Sequence, residues 1–317
     1  MLSSKVVRRA LFRYLDPLLG GVAIAARKRQ DAAFILLYHR VSAEDTQADY
    51  AALRPREFVE HLHLIKDLFT VVPLHELVER LAAGRSLQGC CSLTFDDGFA
   101  DFMVHALPAL LTAGLPVTQF LIGDSVRTGR PPWNLRLMRL LRLDPEGARG
   151  SPEEVKAMPW RERDEYLCEW ESRLGHVFDP MPAMLTSEDV KQLVRAGVEV
   201  GSHTQTHGWL AHVAGDEADR ELRVSRQWLG ELTGRPVRFV SYPQNSYNDA
   251  VVSCARAAGY SAGFAVDQRL ARNGDDLHRL PRLDLTDRPT SMLRLELSGV
   301  IPSMRRLVSR ARRKEGD

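Results

Sequence analysis

From Phe34 onward, short apolar runs alternate with longer stretches in which apolar residues recur at helical spacing. The runs Phe34–Tyr38, Thr70–Val72, Cys91–Phe95, Val117–Leu121, Val198–Gly201, Phe239–Tyr242, Ala262–Ala265 and Leu280–Leu283 read as strands, since short unbroken apolar runs suit strands buried on both faces. Between them, Glu57–Leu68, Leu74–Leu81, Phe102–Ala113, Ser187–Ala196, Glu217–Leu232 and Asp249–Ala258 carry the period of amphipathic helices. Strand and helix in regular alternation predict an α/β fold on a mostly parallel sheet, most simply a barrel. Residues 130–185 break the rhythm. They open Arg130-Pro131-Pro132-Trp133, are rich in charge, and read as two or three helices inserted between two barrel strands.

Composition narrows the class. Of 317 residues, 44% are hydrophobic and 26% charged, which excludes a disordered chain and a small scaffold that depends on staples. One domain with an elaborated loop is the economical reading. Four cysteines, with no Cys-x-x-Cys pair, suit reduced thiols in a reducing compartment rather than a disulfide framework. The net charge of +2 hides a split: residues 1–30 carry +6 and residues 301–317 carry +4, leaving −8 on residues 31–300. Neither basic end shows a recognisable nucleic-acid module, so no nucleic-acid partner is expected.

In the first segment Val7, Leu11, Tyr14 or Leu15, and Leu18 recur at helical spacing while Arg8, Arg9 and Arg13 fall mainly on other faces. Such a helix either lies on an anionic membrane surface or packs on the body with its arginines solvated. The apolar stretch Leu18–Ala26 is too short to span a bilayer, which needs ~20 residues. A cytoplasmic protein, peripheral at the inner membrane, is the expected setting; a weak likeness to a signal peptide leaves export as the alternative.

The chemistry gathers at strand ends. After Cys91–Phe95 come Asp96, Asp97 and Gly98, two adjacent carboxylates at the mouth of an apolar strand. Such a pair is costly unless neutralised, for instance by a metal ion on one and a proton accepted by the other; Asp-Asp-Gly is also ordinary turn material. After Val198–Gly201 come His203 and His207, four apart, which together with an aspartate from another strand end make a His, His, Asp set with positions left open. His39 leaves the first strand, and Phe239-Val240-Ser241-Tyr242-Pro243-Gln244-Asn245 runs a strand into a rigid turn. All four features follow the carboxyl ends of different strands, where barrel enzymes build their sites.

These residues resemble the polysaccharide deacetylase family, the NodB-homology or carbohydrate esterase family 4 domain. The likeness rests on Thr94-Phe95-Asp96-Asp97-Gly98, on His203-Thr204-Gln205-Thr206-His207 and on the Tyr242-Pro243 turn, within a span from about Phe34 to Leu285. It implies a distorted (β/α) barrel of seven or eight strands with a helical insertion, residues 31–300 forming the catalytic domain. It further implies a divalent metal, zinc foremost with cobalt, nickel or manganese as alternatives, held by Asp97, His203 and His207, with Asp96 as general base. The backbone N–H of Gln244 would face the oxyanion, Tyr242 and Trp209 would border the substrate, and Arg282 would orient Asp96. The general acid is expected from His39, with His278 as runner-up.

The chain departs from the family pattern in three places. Gln244-Asn245 stands where an aromatic and a glycine commonly follow the proline, the late Leu-x-His motif is absent, and the arginine commonly found in the proline motif is missing. Trp209 suits an acyl pocket or the core equally, while Trp133, Trp160, Trp170 and Trp228 could stack on sugar rings but fall in amphipathic helices, which mostly bury such residues. The expected activity is removal of N-acetyl from an amino sugar in a polysaccharide or glycan precursor. The alternatives are deacylation or deformylation of a lipid-linked sugar, and a non-catalytic glycan-binding module on the same scaffold.

Overall fold

A computed structural model of the chain describes residues 30–43, 52–175, 181–286 and 288–298. The basic amphipathic segment expected over residues 1–30, apart from Gln30, and the basic tail at 301–317 lie outside the described residues. The elements run β1 (Ala32–Tyr38), α1 (Pro55–Leu68), β2 (Thr70–Val71), α2 (Leu74–Ala82), β3 (Cys90–Phe95), α3 (Leu107–Ala113) and β4 (Thr118–Leu121). Then follow α4 (Gly123–Thr128), α5 (Trp133–Leu143), α6 (Pro152–Ala157), α7 (Trp160–Leu174), α8 (Ser187–Arg195), β5 (Glu199–Ser202) and α9 (Gly215–Thr233). The chain continues through β6 (Phe239–Ser241), α10 (Asp249–Ala257), β7 (Ala262–Val266), β8 (Ala271–Arg272), β9 (Leu280–Asp284) and α11 (Thr290–Leu297). A π-helical turn, Phe102–Ala106, leads into α3.

Seven parallel strands close on themselves in the order β1, β3, β4, β5, β6, β7, β9, so the distorted (β/α) barrel read from the sequence is the observed architecture. The closing seam is the best registered, with five pairs from Phe34↔Cys91 to Tyr38↔Phe95, whereas β5 and β6 meet only at Ser202↔Val240. Two short strands add to the outside: β2 pairs with the start of β3, and β8 runs antiparallel to the start of β1.

Alternation along β1 divides the core. Ala33 and Ile35 pack with Phe120, Phe239, Phe264 and Leu280 from other strands, whereas Phe34, Leu36 and Tyr38 pack with Phe58 and Leu62 of α1. Phe120 of β4 and Phe264 of β7 lie 5.5 Å apart although their strands are not neighbours, so they meet across the barrel interior. Between β4 and β5, helices α5, α6 and α7 bury a small core of their own around Trp133, Leu140, Leu167 and Trp170. Helices α4 and α11 and strand β8 were not legible. The first has six residues and β8 has two, too few to leave a period.

Candidate active site

Five non-glycine residues among those described have positive φ: Asp97, Thr204, His207, Gln244 and Asn245. They follow the carboxyl ends of β3, β5 and β6, all on one rim of the barrel. Left-handed backbone at such residues costs about 1 kcal/mol or more each, and its concentration on one rim points to a site the surrounding structure holds in place. At the first turn Gly98 takes φ +87°, and a Cβ there would lie 2.8 Å from the Leu121 side chain. The positive φ favours glycine here, and any side chain would also have to displace Leu121 of β4.

Asp97 sits between two imidazoles. Its Oδ1 lies 3.3 Å from Nε2 of His203 and 3.5 Å from Nε2 of His207, and all three side chains are buried. One ligand atom from each falls within 4.8 Å of the others. Neither oxygen of Asp97 meets a hydrogen-bond partner among the described residues. A buried carboxylate in that state calls for a cation, and one carboxylate with two imidazoles is a donor set that suits zinc or a related divalent ion. These residues therefore fit the metal that the resemblance implies. Their electrostatics agree. Burial opposes ionisation of Asp97, but the imidazoles around it, His203 foremost, outweigh it and hold the carboxyl ionised. Burial and the neighbouring His203 push His207 down to about 3, which leaves its imidazole neutral with a lone pair to give. His203 Nδ1 donates to the carbonyl of Ser241 at 2.8 Å, turning Nε2 toward Asp97.

Asp96 has the opposite surroundings. Arg282, 1% exposed, reaches across from β9 and donates to both carboxylate oxygens at 2.7 Å. The same guanidinium donates to Ser241 Oγ at 2.6 Å, and Ser241 in turn donates to Asp96 Oδ2 at 3.0 Å. Burial works against the Asp96 anion, yet Arg282 and His203 outweigh it and hold its pKa below the usual range. Asp96 Oδ2 lies 3.8 Å from His203 Nε2, so the clamped carboxylate borders the Asp97 group without belonging to it.

The remaining expectations divide. His39 follows β1 on the same rim, its Nδ1 2.7 Å from Thr286 Oγ1, and that hydroxyl donates to Asp284 Oδ1 at 2.7 Å. Gln244 is exposed at φ +50° in the turn after β6. Trp209, half-buried, stacks on His212 with ring centroids 3.6 Å apart. Tyr242 is a correction. Its side chain is 1% exposed and its hydroxyl donates to the His278 carbonyl at 3.0 Å, so it serves the core rather than bordering a substrate. His278 is a second correction, because it precedes β9 and so lies at the amino end of a parallel strand, on the rim opposite Asp96 and Asp97. Its Nε2 is taken by the Tyr260 carbonyl at 2.9 Å. Ser241, which touches Asp96, Arg282 and His203, carries no charge and gave no signal of its role. Its place before the proline turn was the one clue.

Comparison with known proteins agrees with this geometry. The family model described as polysaccharide deacetylase matches residues 83–263. YxkH of Bacillus subtilis (strain 168), a polysaccharide deacetylase by its name, is 21% identical over 251 residues, covering 78% of this chain and 70% of YxkH. Among solved structures, the Streptococcus pyogenes deacetylase PplD in complex with acetate aligns with a TM-score of 0.61 at 19% identity, covering 84% of this chain and 98% of that one. A de-N-acetylase from Aggregatibacter actinomycetemcomitans aligns with a TM-score of 0.55 at 19% identity, covering 80% of this chain and 94% of that one. With a barrel of this topology and an Asp, His, His group on its carboxyl rim, the chain belongs to the polysaccharide deacetylase family, hydrolases that act on the acetyl groups of polysaccharides.

Proposed function

We propose that this protein hydrolyses the N-acetyl amide of an amino sugar in a polysaccharide or glycan precursor, using a divalent cation, zinc foremost, held by Asp97, His203 and His207. The observation that carries the reading is the pairing of two carboxylates in contrasting states. Asp97 lies buried without a hydrogen-bond donor between two imidazoles, and Asp96 beside it is clamped by Arg282 and Ser241. A bound divalent ion supplies Lewis acidity, polarising the acyl oxygen and making water a better acid.

The protein's own groups divide the proton work. Asp96, held ionised and fixed in direction by a bidentate guanidinium, accepts a proton from the attacking water as its oxygen bonds to the acyl carbon. The backbone N–H of Gln244 faces the developing oxyanion. As the carbon–nitrogen bond breaks, His39 gives a proton to the departing amine, leaving acetate and a free amino sugar. An amide needs that donor because an unprotonated amine leaves poorly, and the Thr286–Asp284 pair behind Nδ1 fixes the His39 ring. The names of two similar structures, a deacetylase holding acetate and a de-N-acetylase, favour the same bond.

The test is acetate release from N-acetylglucosamine oligomers. Wild type is expected to release acetate and Asp96→Asn to be slower by about 10²–10⁴-fold, the range for removing a positioned base. Asp96→Asn at the wild-type rate would overturn the assignment.

A further inference from the structure

The segment that presents both histidines is held at nearly every peptide. Thr204 O accepts from Gly123 N at 3.1 Å and Gln205 O from Asp124 N at 2.7 Å. The Gln205 and Thr206 amides both donate to the buried carboxylate of Glu221 on α9, at 2.9 and 2.8 Å. The carbonyl of His207, in left-handed backbone at φ +62°, accepts from the indole Nε1 of Trp133 at 2.8 Å. Trp133 is 5% exposed, opens α5, and carries the Arg163 guanidinium of α7 over its ring, 4.3 Å from the centroid. The insertion thus reaches the histidine loop twice, through the Trp133 indole at the His207 carbonyl and, at the longer distance of 3.5 Å, through Arg163 Nη2 donating to Thr206 Oγ1; only the first meets a histidine.

The two histidines are fixed in different ways. His203 has an outer partner in the Ser241 carbonyl, whereas His207 Nδ1 meets no protein partner among the described residues. Outer hydrogen bonds normally orient a ligating imidazole and are worth 10–100-fold in metal affinity. His207 lacks this, so its ring direction depends on its strained backbone, and that backbone is pinned by Trp133.

We propose that Trp133 is a positioning residue for His207, and that the insertion therefore acts on the metal site through the indole N–H. This rests on the metal reading above. The test compares zinc affinity, by competition with a chromophoric chelator, and the visible spectrum of the cobalt-loaded protein, in Trp133→Phe and Trp170→Phe. Trp170 is a fitting control because it is likewise buried in the same small core, and its indole donates to Asp144, away from the histidine loop.

Trp133→Phe is expected to bind zinc about 10–100-fold more weakly with an altered cobalt spectrum, while Trp170→Phe keeps wild-type affinity. Equal zinc affinity in Trp133→Phe and wild type, or equal losses in both variants, would overturn the inference. A wild-type protein that binds no zinc would instead overturn the metal reading itself. Should Trp133→Phe fail to fold, the wild type labelled with 15N-tryptophan serves. The Trp133 Nε1–H signal, assigned by elimination through the four other Trp→Phe variants, is expected to resist solvent exchange and to move on zinc addition. A rapidly exchanging signal that zinc leaves in place would overturn the inference.

Discussion

Asp96 and Asp97 are adjacent in sequence, yet one is saturated with donors and the other has none among the described residues. The contrast arises because Asp97 takes φ +72°, turning its side chain toward His203 and His207 while Asp96 faces Arg282. The aspartates and histidines were legible as a chemical set because carboxylates and imidazoles at strand ends are anomalous. The clamp was not readable from residue pattern, since 186 residues separate Arg282 from Asp96 and only the family resemblance pointed to it. Arg282→Lys keeps the charge but loses the fork; it is expected to lower the rate of acetate release by tenfold or more in steady-state assays, with zinc affinity kept. A wild-type rate in that variant would remove the clamp from the account.

His61 is another buried histidine with a measurable consequence. It is fully buried on α1, its Nδ1 3.2 Å from the Tyr38 hydroxyl, and burial pushes its pKa down to about 4. The unfolded chain takes up this proton near pH 6.5, the folded one only near 4, so stability is present above about 6.5 and is lost as pH falls toward about 4. Urea unfolding across that window should lose up to about 1.4 kcal/mol per pH unit from this group, and His61→Leu should flatten the slope accordingly. An unchanged slope would contradict the assignment.

Among the elements, the strands were legible because burial on both faces makes them unbroken apolar runs, and the insertion was legible because it interrupts that pattern. What the pattern could not carry was contact between elements. Trp133 reads as an inward-facing helix residue, and nothing local shows that its indole reaches a carbonyl 74 residues away. Likewise β6 reads as extending to Tyr242, but it ends at Ser241, whose side chain belongs to the site while Tyr242 turns into the core. Strand β5 packs closely on β4. A Cβ on Gly201 would lie 2.4 Å from the buried Phe120 ring, so Gly201→Ala should cost about 1–3 kcal/mol in urea unfolding. Unchanged stability would mean the barrel interior has room that the packing denies.

Across the whole molecule, barrel closure brings the ends of β1, β3, β5, β6 and β9 to one region, so residues from positions 39 to 286 meet there. Closure, which pairs β9 with β1, was foreseeable from alternating strands and helices; the side-chain contact it creates between Thr286 and His39 was not. The body over residues 31–300 carries −8, and the four cysteines are free thiols. No helix among the described residues is long and apolar enough to cross a membrane. A metal that binds only the folded barrel stabilises all of it: zinc at a hundred times its Kd should add about 2.7 kcal/mol, seen as a rise in Tm. Asp97→Ala should abolish that rise, and a zinc-induced rise kept in Asp97→Ala would locate the metal elsewhere.

The most direct measurement is acetate release from an N-acetylglucosamine oligomer by one preparation, stripped by chelator and then resupplied with zinc. Activity is expected to fall to background on stripping and to return with zinc in the wild type, but not in Asp97→Ala. Undiminished acetate release from the stripped protein, or restoration by zinc in Asp97→Ala, would contradict it.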